Sequence, residues 1–342
     1  MKYDMALSVS IIVPVYNVEN YIEDCFQSII NQTYIGPLEC LFIDDCGTDS
    51  SIAVLKALLA EYDGPINMRL LHHDKNCGLS AARNTGIKES KSDYIFFLDS
   101  DDKIYPYSID CLSQVAVKES GPDIILGGYQ VSDPSHSINK YKYDYRVMSG
   151  QHTIATEFLN DKLYCMAPNK LIRREFITDN NLWFKEGIIH EDNLWSFQSF
   201  HLAKSVVTVP ELTYYYLIHD ESIMSSTKLG RRLESCKVIY DEIMRDLKNS
   251  RYNPVVGKSI SYVMNLMDVR CFRLIEQVYK EPTLVLKDRL RQLGAIYEKY
   301  NSLINEFWLS PTFYMKLQKM AFMNRRFFLF DVLMRIAKLK YK

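Results

Sequence analysis

The chain has 342 residues, 47% of them hydrophobic and 24% charged, with a formal net charge of −1. That length leaves room for about two domains and for a core that needs neither disulfides nor a structural metal. The charge balance argues against a nucleic-acid binder working by overall electrostatics, although Pro311–Lys342 carries eight Lys and Arg against the single acid Asp331.

In chain order, Val9–Val13 is β-branched and ends at Pro14, which predicts a strand. Tyr21, Ile22, Cys25, Phe26, Ile29 and Ile30 recur at helical spacing. Glu39–Ile43 is a second strand running into Asp44-Asp45, and Thr48 and Asp49 are placed to cap the helix carrying Ile52, Leu55, Leu58 and Leu59. Met68–Leu71 is a third strand, Leu79–Glu89 a helix, and Tyr94–Leu98 a fourth strand. Strand alternating with helix predicts an α/β fold with a mostly parallel sheet flanked by helices. Further on, strands are expected at Asp123–Val131, Val206–Val209 and Thr213–Leu217, a turn at Ser132–Ser135, and a helix at Asn193–His201. From about Ser226 helical patterning dominates, which places a domain boundary there, with 1–225 as the α/β domain and 226–342 as a helical C-terminal region.

The eight cysteines show no Cys-x-x-Cys spacing, so a zinc site or redox motif is not indicated. Met1-Lys2-Tyr3-Asp4 leads into a strand rather than a secretory signal, so a cytoplasmic chain with reduced thiols is expected. No apolar run reaches the ~18 residues of a membrane-spanning helix.

In parallel sheets ligands bind beyond the carboxyl ends of the strands. Pro14–Asn17, Asp44-Asp45 and Asp99–Asp102 all follow strand ends and should therefore meet on one rim. Asp99-Ser100-Asp101-Asp102 puts three acids in four residues, which is either a solvated turn or a site for a hard divalent cation shared with substrate phosphates. An acid at the end of the second strand can accept from a base N–H or a ribose hydroxyl, or merely shape a turn; Asp49 suits the capping role better. Gly78 permits close backbone approach at a helix start, and Arg83 within the next turns can pair with a phosphate or a rim aspartate. Glu191-Asp192, after His190, reads as a helix-start cluster or as a general base for an acceptor hydroxyl.

The combination Val13-Pro14-Val15-Tyr16-Asn17, Asp44-Asp45, Gly78–Asn84, Leu98–Asp102 and Glu191-Asp192, in this order and spacing, resembles the inverting family 2 glycosyltransferases of GT-A fold over about residues 8 to 220. The resemblance implies transfer of a sugar from a nucleotide-sugar donor, typically a UDP-sugar, to a carbohydrate or lipid-linked acceptor hydroxyl in cell-surface polysaccharide or glycolipid synthesis. It implies that Pro14, Tyr16, Asn17 and Gly78 line the nucleotide site, that Asp45 reads the base, and that Arg83 helps hold the nucleotide. Asp99 and Ser100 would contact the nucleotide-sugar, and Asp99, Asp101 and Asp102 would hold Mn²⁺ or Mg²⁺, with Asp101 the principal ligand. Asp192 matches the catalytic base and Glu191 its acidic neighbour, while Asn169-Lys170-Leu171 resembles a segment near the acceptor. His219 follows the last core strand, where some relatives place a metal or diphosphate ligand, but a lone histidine there is more often structural.

Two other readings compete. A nucleotidyltransferase would normally carry a Gly-rich basic loop after its first strand, where Pro14-Val15-Tyr16-Asn17 stands instead. A non-catalytic carbohydrate- or nucleotide-binding scaffold has no use for Asp192. At the C-terminus, Asp331, Arg335, Lys338 and Lys342 fall on one narrow arc of an otherwise apolar helix. That helix either docks on the catalytic domain with its arc in water or lies on an anionic membrane face, as a peripheral contact.

Overall fold

The computed structural model describes residues 7–133, 140–219, 229–249, 252, 255, 257–260, 262–264, 267, 285–307 and 313–340. The chain divides into two compact units, Met1–Ser225 with Asp246–Val256 and Ser226–Arg245 with Gly257–Lys342.

The first unit opens with β1 (Val9–Val15), α1 (Ile22–Ile30), β2 (Leu38–Asp44), α2 (Ser51–Glu61), β3 (Asn67–His72), α3 (Leu79–Glu89) and β4 (Tyr94–Phe97). These four strands lie parallel in the order β3-β2-β1-β4. Every residue of β1 is buried, as expected for a strand covered on both faces. Its odd positions Val9, Ile11, Val13 and Val15 pack with Ile22, Cys25, Phe26 and Ile29 of α1. Ile12 faces the other way, onto α3, where Gly86 lets the helix come so close that a methyl group would overlap the Ile12 side chain. Each such aliphatic side chain contributes about 1.5–3 kcal/mol when fully buried, so this sandwich fixes where the strand ends lie.

Beyond β4 come β5 (Lys103–Ile104), α4 (Ser108–Lys118), β6 (Ile124–Val131), β7 (Lys140–Tyr141), β8 (Arg146–Ser149), α5 (Gln151–Leu159), β9 (Lys170–Arg173), α6 (Arg174–Asp179), α7 (Glu191–Leu202) and β10 (Ser205–Tyr216). Here the sheet is mixed. Strand β9 runs against both neighbours, β4 and β6, while β10 is parallel to β6 and antiparallel to β5 and β8. The sheet is therefore mostly parallel: β3, β2, β1, β4, β6 and β10 run one way, and β9 with the short strands β5, β7 and β8 runs the other. The two strands expected at Val206–Val209 and Thr213–Leu217 are one, β10, whose register against β6 shifts on either side of Leu212. Pro210, which has no N–H to give a ladder, sits at that irregularity. Pro134 and Ser135 of the expected turn lie outside the described residues.

The second unit contains α8 (Leu229–Asp246), α9 (Leu286–Phe307), α10 (Phe313–Met323) and α11 (Phe327–Lys340). Leu233, Cys236, Leu293, Ile296, Phe322, Phe330 and Met334 form its core. The structure corrects the proposed basic arc. Asp331 is buried and accepts from Arg289 Nε at 2.8 Å, so it does not share a solvent face with the lysines. The side chains of Arg335 and Lys338, and all of Lys342, lie outside the described residues. Among the described residues, no helix is long and apolar enough to cross a membrane.

Candidate active site

The carboxyl ends of β1, β2 and β4 form one rim. Parallel pairing sets Val15 beside Asp44, and the turn leaving β1 is lashed to the turn leaving β2. Asn17 accepts from Thr48 N at 2.7 Å, Ser51 accepts from Val18 N at 2.7 Å, and Asp49 accepts from Glu19 N at 2.9 Å. Asp49 also accepts from Ser51 N at the start of α2, which is the capping role. Tyr16 projects from this braced turn with 44% of its surface exposed, above the buried Pro14.

Asp45 lies beneath the rim rather than on it. It is 3% exposed and accepts from Cys77 N and Gly78 N, each at 2.8 Å, and from His73 Nδ1 at 2.7 Å. Its carboxylate holds the loop that starts α3, where Gly78 takes φ +90°, and is not presented to a base. Asp45, His73 and Cys77 bring one potential donor atom each within 4.8 Å of one another. Yet Asp45 is filled by N–H groups and His73 Nε2 lies 2.9 Å from Thr85 Oγ1, so the cluster is a hydrogen-bonded brace.

Helix α3 delivers Arg83, the hub of the site. Arg83 is 2% exposed; its guanidinium donates to Glu191 Oε1 and to Asp99 Oδ1, both at 2.8 Å, and lies 5.2 Å from the Phe184 ring. Burial pulls the Arg83 pKa down, but Asp99 and Glu191 outweigh it and the group is held firmly cationic. Arg83 was expected to meet the nucleotide; it is spent instead on joining the end of β4 to the start of α7. Two neighbours, neither singled out in the sequence, secure α3 to the segment before α7. Ser80 donates to Lys185 O at 2.8 Å, and Asn84 exchanges two hydrogen bonds with the Phe184 backbone.

The three acids after β4 separate. Asp99 keeps a 29% exposed side chain while bound to Arg83. Asp101, 28% exposed, lies with Oδ2 2.9 Å from His219 Nε2. Asp102 is buried, accepting from Tyr214 Oη at 2.7 Å and Leu217 N at 2.7 Å. Its pKa is pushed well up by burial and by Asp101 and Asp99. Asp102 is thus a structural strut of β10 rather than a metal ligand, and Ser100 is likewise buried below the rim. His219 also packs on Tyr21, ring centroids 4.3 Å apart, and its Nδ1 is buried with no hydrogen-bond partner among the described residues.

Two partly open carboxylates and an imidazole fit a hard divalent cation such as Mg²⁺ or Mn²⁺. Burial and the Asp99 charge both raise the Asp101 pKa, a repulsion one cation would relieve.

Glu191 and Asp192 begin α7, two residues earlier than the sequence pattern suggested. His190 before them takes φ +64°, a left-handed turn that swings the chain into the helix. Glu191 is buried and committed to Arg83. Among the described residues Asp192 has no such cationic partner; its side chain accepts from Asn193, including Nδ2 at 3.3 Å, and keeps part of its surface open. Burial and Glu191 raise its pKa against the opposing pull of Arg83 and Lys170. The segment expected near the acceptor is internal. Asn169 is fully buried, donating to the Gly127 and Gly128 carbonyls at 3.0 Å each, and Lys170 is fully buried beside it.

The model of glycosyl transferase family 2 matches residues 10–179, a span that takes in the β1, β2, α3 and β4 segments of this rim. The putative glycosyltransferase EpsH of Bacillus subtilis (strain 168) is 32% identical over 295 residues, covering 84% of this chain and 83% of EpsH. The chain belongs to glycosyl transferase family 2. It is a glycosyltransferase that uses a nucleotide-sugar, and membership sets aside the nucleotidyltransferase reading. The fold also matches solved structures. TarS 1–349 of S. aureus, crystallised with UDP-GlcNAc, has a TM-score of 0.69 at 17% identity, covering 98% of this chain and 92% of that one. The mannosyltransferase PcManGT of Pyrobaculum calidifontis, with GDP-Man and Mn²⁺, has a TM-score of 0.52 at 15% identity, covering 95% and 89%.

Proposed function

We propose that this family 2 enzyme takes its sugar from a UDP-sugar and passes it to an acceptor hydroxyl with inversion, in cell-surface polysaccharide or glycolipid synthesis. The catalytic domain is 1–225 and the helical region 226–342. One observation carries the reading: among the described residues, Asp192 alone of the acids beside Arg83 has no cationic partner in hydrogen-bond contact, and it is part-exposed with a raised pKa. A base must be free to take a proton, and one tuned upward takes it better near neutral pH.

Tyr16 and Pro14, on the turn that Asn17 fastens, form a floor for the nucleotide base. Asp99, Asp101 and His219 would hold Mg²⁺ or Mn²⁺ between them. Bound there, the ion would supply positive charge to the diphosphate and to the leaving nucleoside diphosphate. Asp192 takes the acceptor proton as the hydroxyl attacks the anomeric carbon from the face opposite the leaving group. One displacement of this kind inverts the configuration and needs no covalent enzyme intermediate.

A ligand of the native state raises apparent stability, by about 2.7 kcal/mol at a hundred times Kd. UDP with Mn²⁺ should therefore raise the thermal midpoint of the full chain more than either alone. Equal midpoints with and without both ligands would sink the UDP-sugar reading.

We further propose that the second unit touches an anionic membrane, on the cytoplasmic face. At the turn between α10 and α11, Met320, Phe328 and Leu329 are 55%, 62% and 43% exposed beside the exposed Arg325 and Arg326. Arg325 pairs with Glu298 of α9 at 3.0 Å, which leaves Arg326, with no ion pair among the described residues, as the cation for anionic headgroups. The full chain should co-sediment with phosphatidylglycerol vesicles, and Phe328→Asp with Leu329→Asp should release it. Identical sedimentation of the two proteins would refute the contact.

A further inference from the structure

Lys170 opens β9 from a position with no solvent exposure. Among the described residues it has no carboxylate in ion-pair contact. Its Nζ donates to the Met166 carbonyl and to Ser196 Oγ, the latter at 3.2 Å. It lies over the rings of Tyr164, Trp195 and Phe200 at 5.1, 5.9 and 5.4 Å. Three of these contacts, Trp195, Ser196 and Phe200, belong to α7. An ammonium buried without a counter-ion is costly, and an apolar side chain of similar size would serve packing better. The charge therefore calls for a use.

The helix supplies one. Ser196 follows Asp192 by four residues, so the two share a face of α7, one turn apart. Ser196 Oγ in turn donates to the Cys165 carbonyl at 2.5 Å, so Lys170 and Ser196 together bind this turn to the segment before β9. Asp192 and Lys170 also feel one another's charge directly.

We propose that Lys170 is a positioning residue for Asp192: through Ser196 it fixes the turn of α7 that presents this carboxylate, and its positive charge favours the ionised form. The mechanistic use of that ionisation rests on Asp192 being the base. The other charged groups facing Asp192 are Glu191, which raises its pKa, and Arg83, which lowers it; Cys165 and Tyr216 sense its charge from the adjoining loop and β10. Around Lys170 stand Cys165, Asp192 and Arg83, and burial brings the lysine down to about 7.

The test needs no substrate. Asp192 is followed by ¹³C NMR of selectively labelled aspartate carboxyls in the full chain, assigned by its loss in Asp192→Asn. In Lys170→Met its midpoint should move up by about one pH unit, the effect of removing a nearby opposite charge. In Lys170→Arg it should stay in place. The reciprocal experiment follows the Lys170 ε-carbon in Asp192→Asn, where the midpoint should fall by the same amount because the coupling acts both ways. Asp192→Asn is nearly isosteric and part-exposed, so it decides the matter even if Lys170→Met does not fold. An unmoved Lys170 midpoint in Asp192→Asn overturns the proposal, because a lysine that only packs would not respond. The two readings separate cleanly. Full transfer by Asp192→Asn would remove the base, whereas lost transfer with an unmoved lysine would remove Lys170 alone.

Discussion

Asp192→Asn should cut sugar transfer by roughly 100- to 10,000-fold, the usual contribution of a positioned acid or base, while leaving donor binding close to that of the parent chain. The amide keeps the shape of the side chain and its place on α7, so the Arg83–Glu191 pair beside it is undisturbed. What is lost is the ability to accept a proton. The pH profile carries the same claim. The base works only when ionised, and burial and Glu191 raise its pKa. Transfer should therefore fall on the acid side at a higher pH than an ordinary carboxylate would give, and recover as pH rises. A profile flat from pH 5 to 8, or near-normal turnover in Asp192→Asn, would remove Asp192 from the chemistry.

Arg83→Met should cost about 3 kcal/mol of stability, as expected when one partner of a buried ion pair is removed and the other remains. Two acids are stranded at once. Glu191 has 9% of its side chain exposed and has little access to water, whereas Asp99 at 29% recovers part of its hydration, which keeps the figure toward the low end. Arg83→Lys should not restore the loss, because a single ammonium lacks the planar fork that lets one guanidinium reach both carboxylates. Urea unfolding of the three proteins measures this; a midpoint for Arg83→Met equal to that of the parent would show that the hub carries no weight. Activity should fall as well, since the fork fixes the distance between the donor-side Asp99 and the start of α7.

Much of the site was readable in the sequence because strand ends of a parallel sheet meet on one rim. Pro14–Asn17, Asp44-Asp45 and Asp99–Asp102 follow buried strands and do converge there. The division of labour among their acids was not readable. Asp99, Asp101 and Asp102 look alike in one dimension, and what separates them is Arg83 for the first, His219 for the second and the β10 segment Tyr214–Leu217 for the third. The last two partners stand more than a hundred residues away in the chain. Asp45 misled for a related reason: nothing local shows that the Cys77–Gly78 backbone will occupy its oxygens.

Some signals were present and unused. Asn17, Cys46, Asn169 and His190 have φ values of +52°, +55°, +64° and +64°, and each sits at a turn that aims a functional segment. Asn and His tolerate that conformation better than most residues, so Asn17, Asn169 and His190 hinted at sharp turns. Strand β9 is not legible in the sequence, because four residues carry little periodic signal. Its reversed direction is set by pairing with β4 and β6, not by its own residues.

In the proposed enzyme, donor binding rests on Asp101 and proton removal on Asp192. Calorimetry of UDP in the presence of Mn²⁺ tests it with three proteins: the parent chain, Asp101→Ala and Asp192→Asn. Asp192→Asn should bind UDP as the parent does, and Asp101→Ala should lose the metal-dependent part of binding. Unchanged metal-dependent binding in Asp101→Ala, or its loss in Asp192→Asn, would contradict that division.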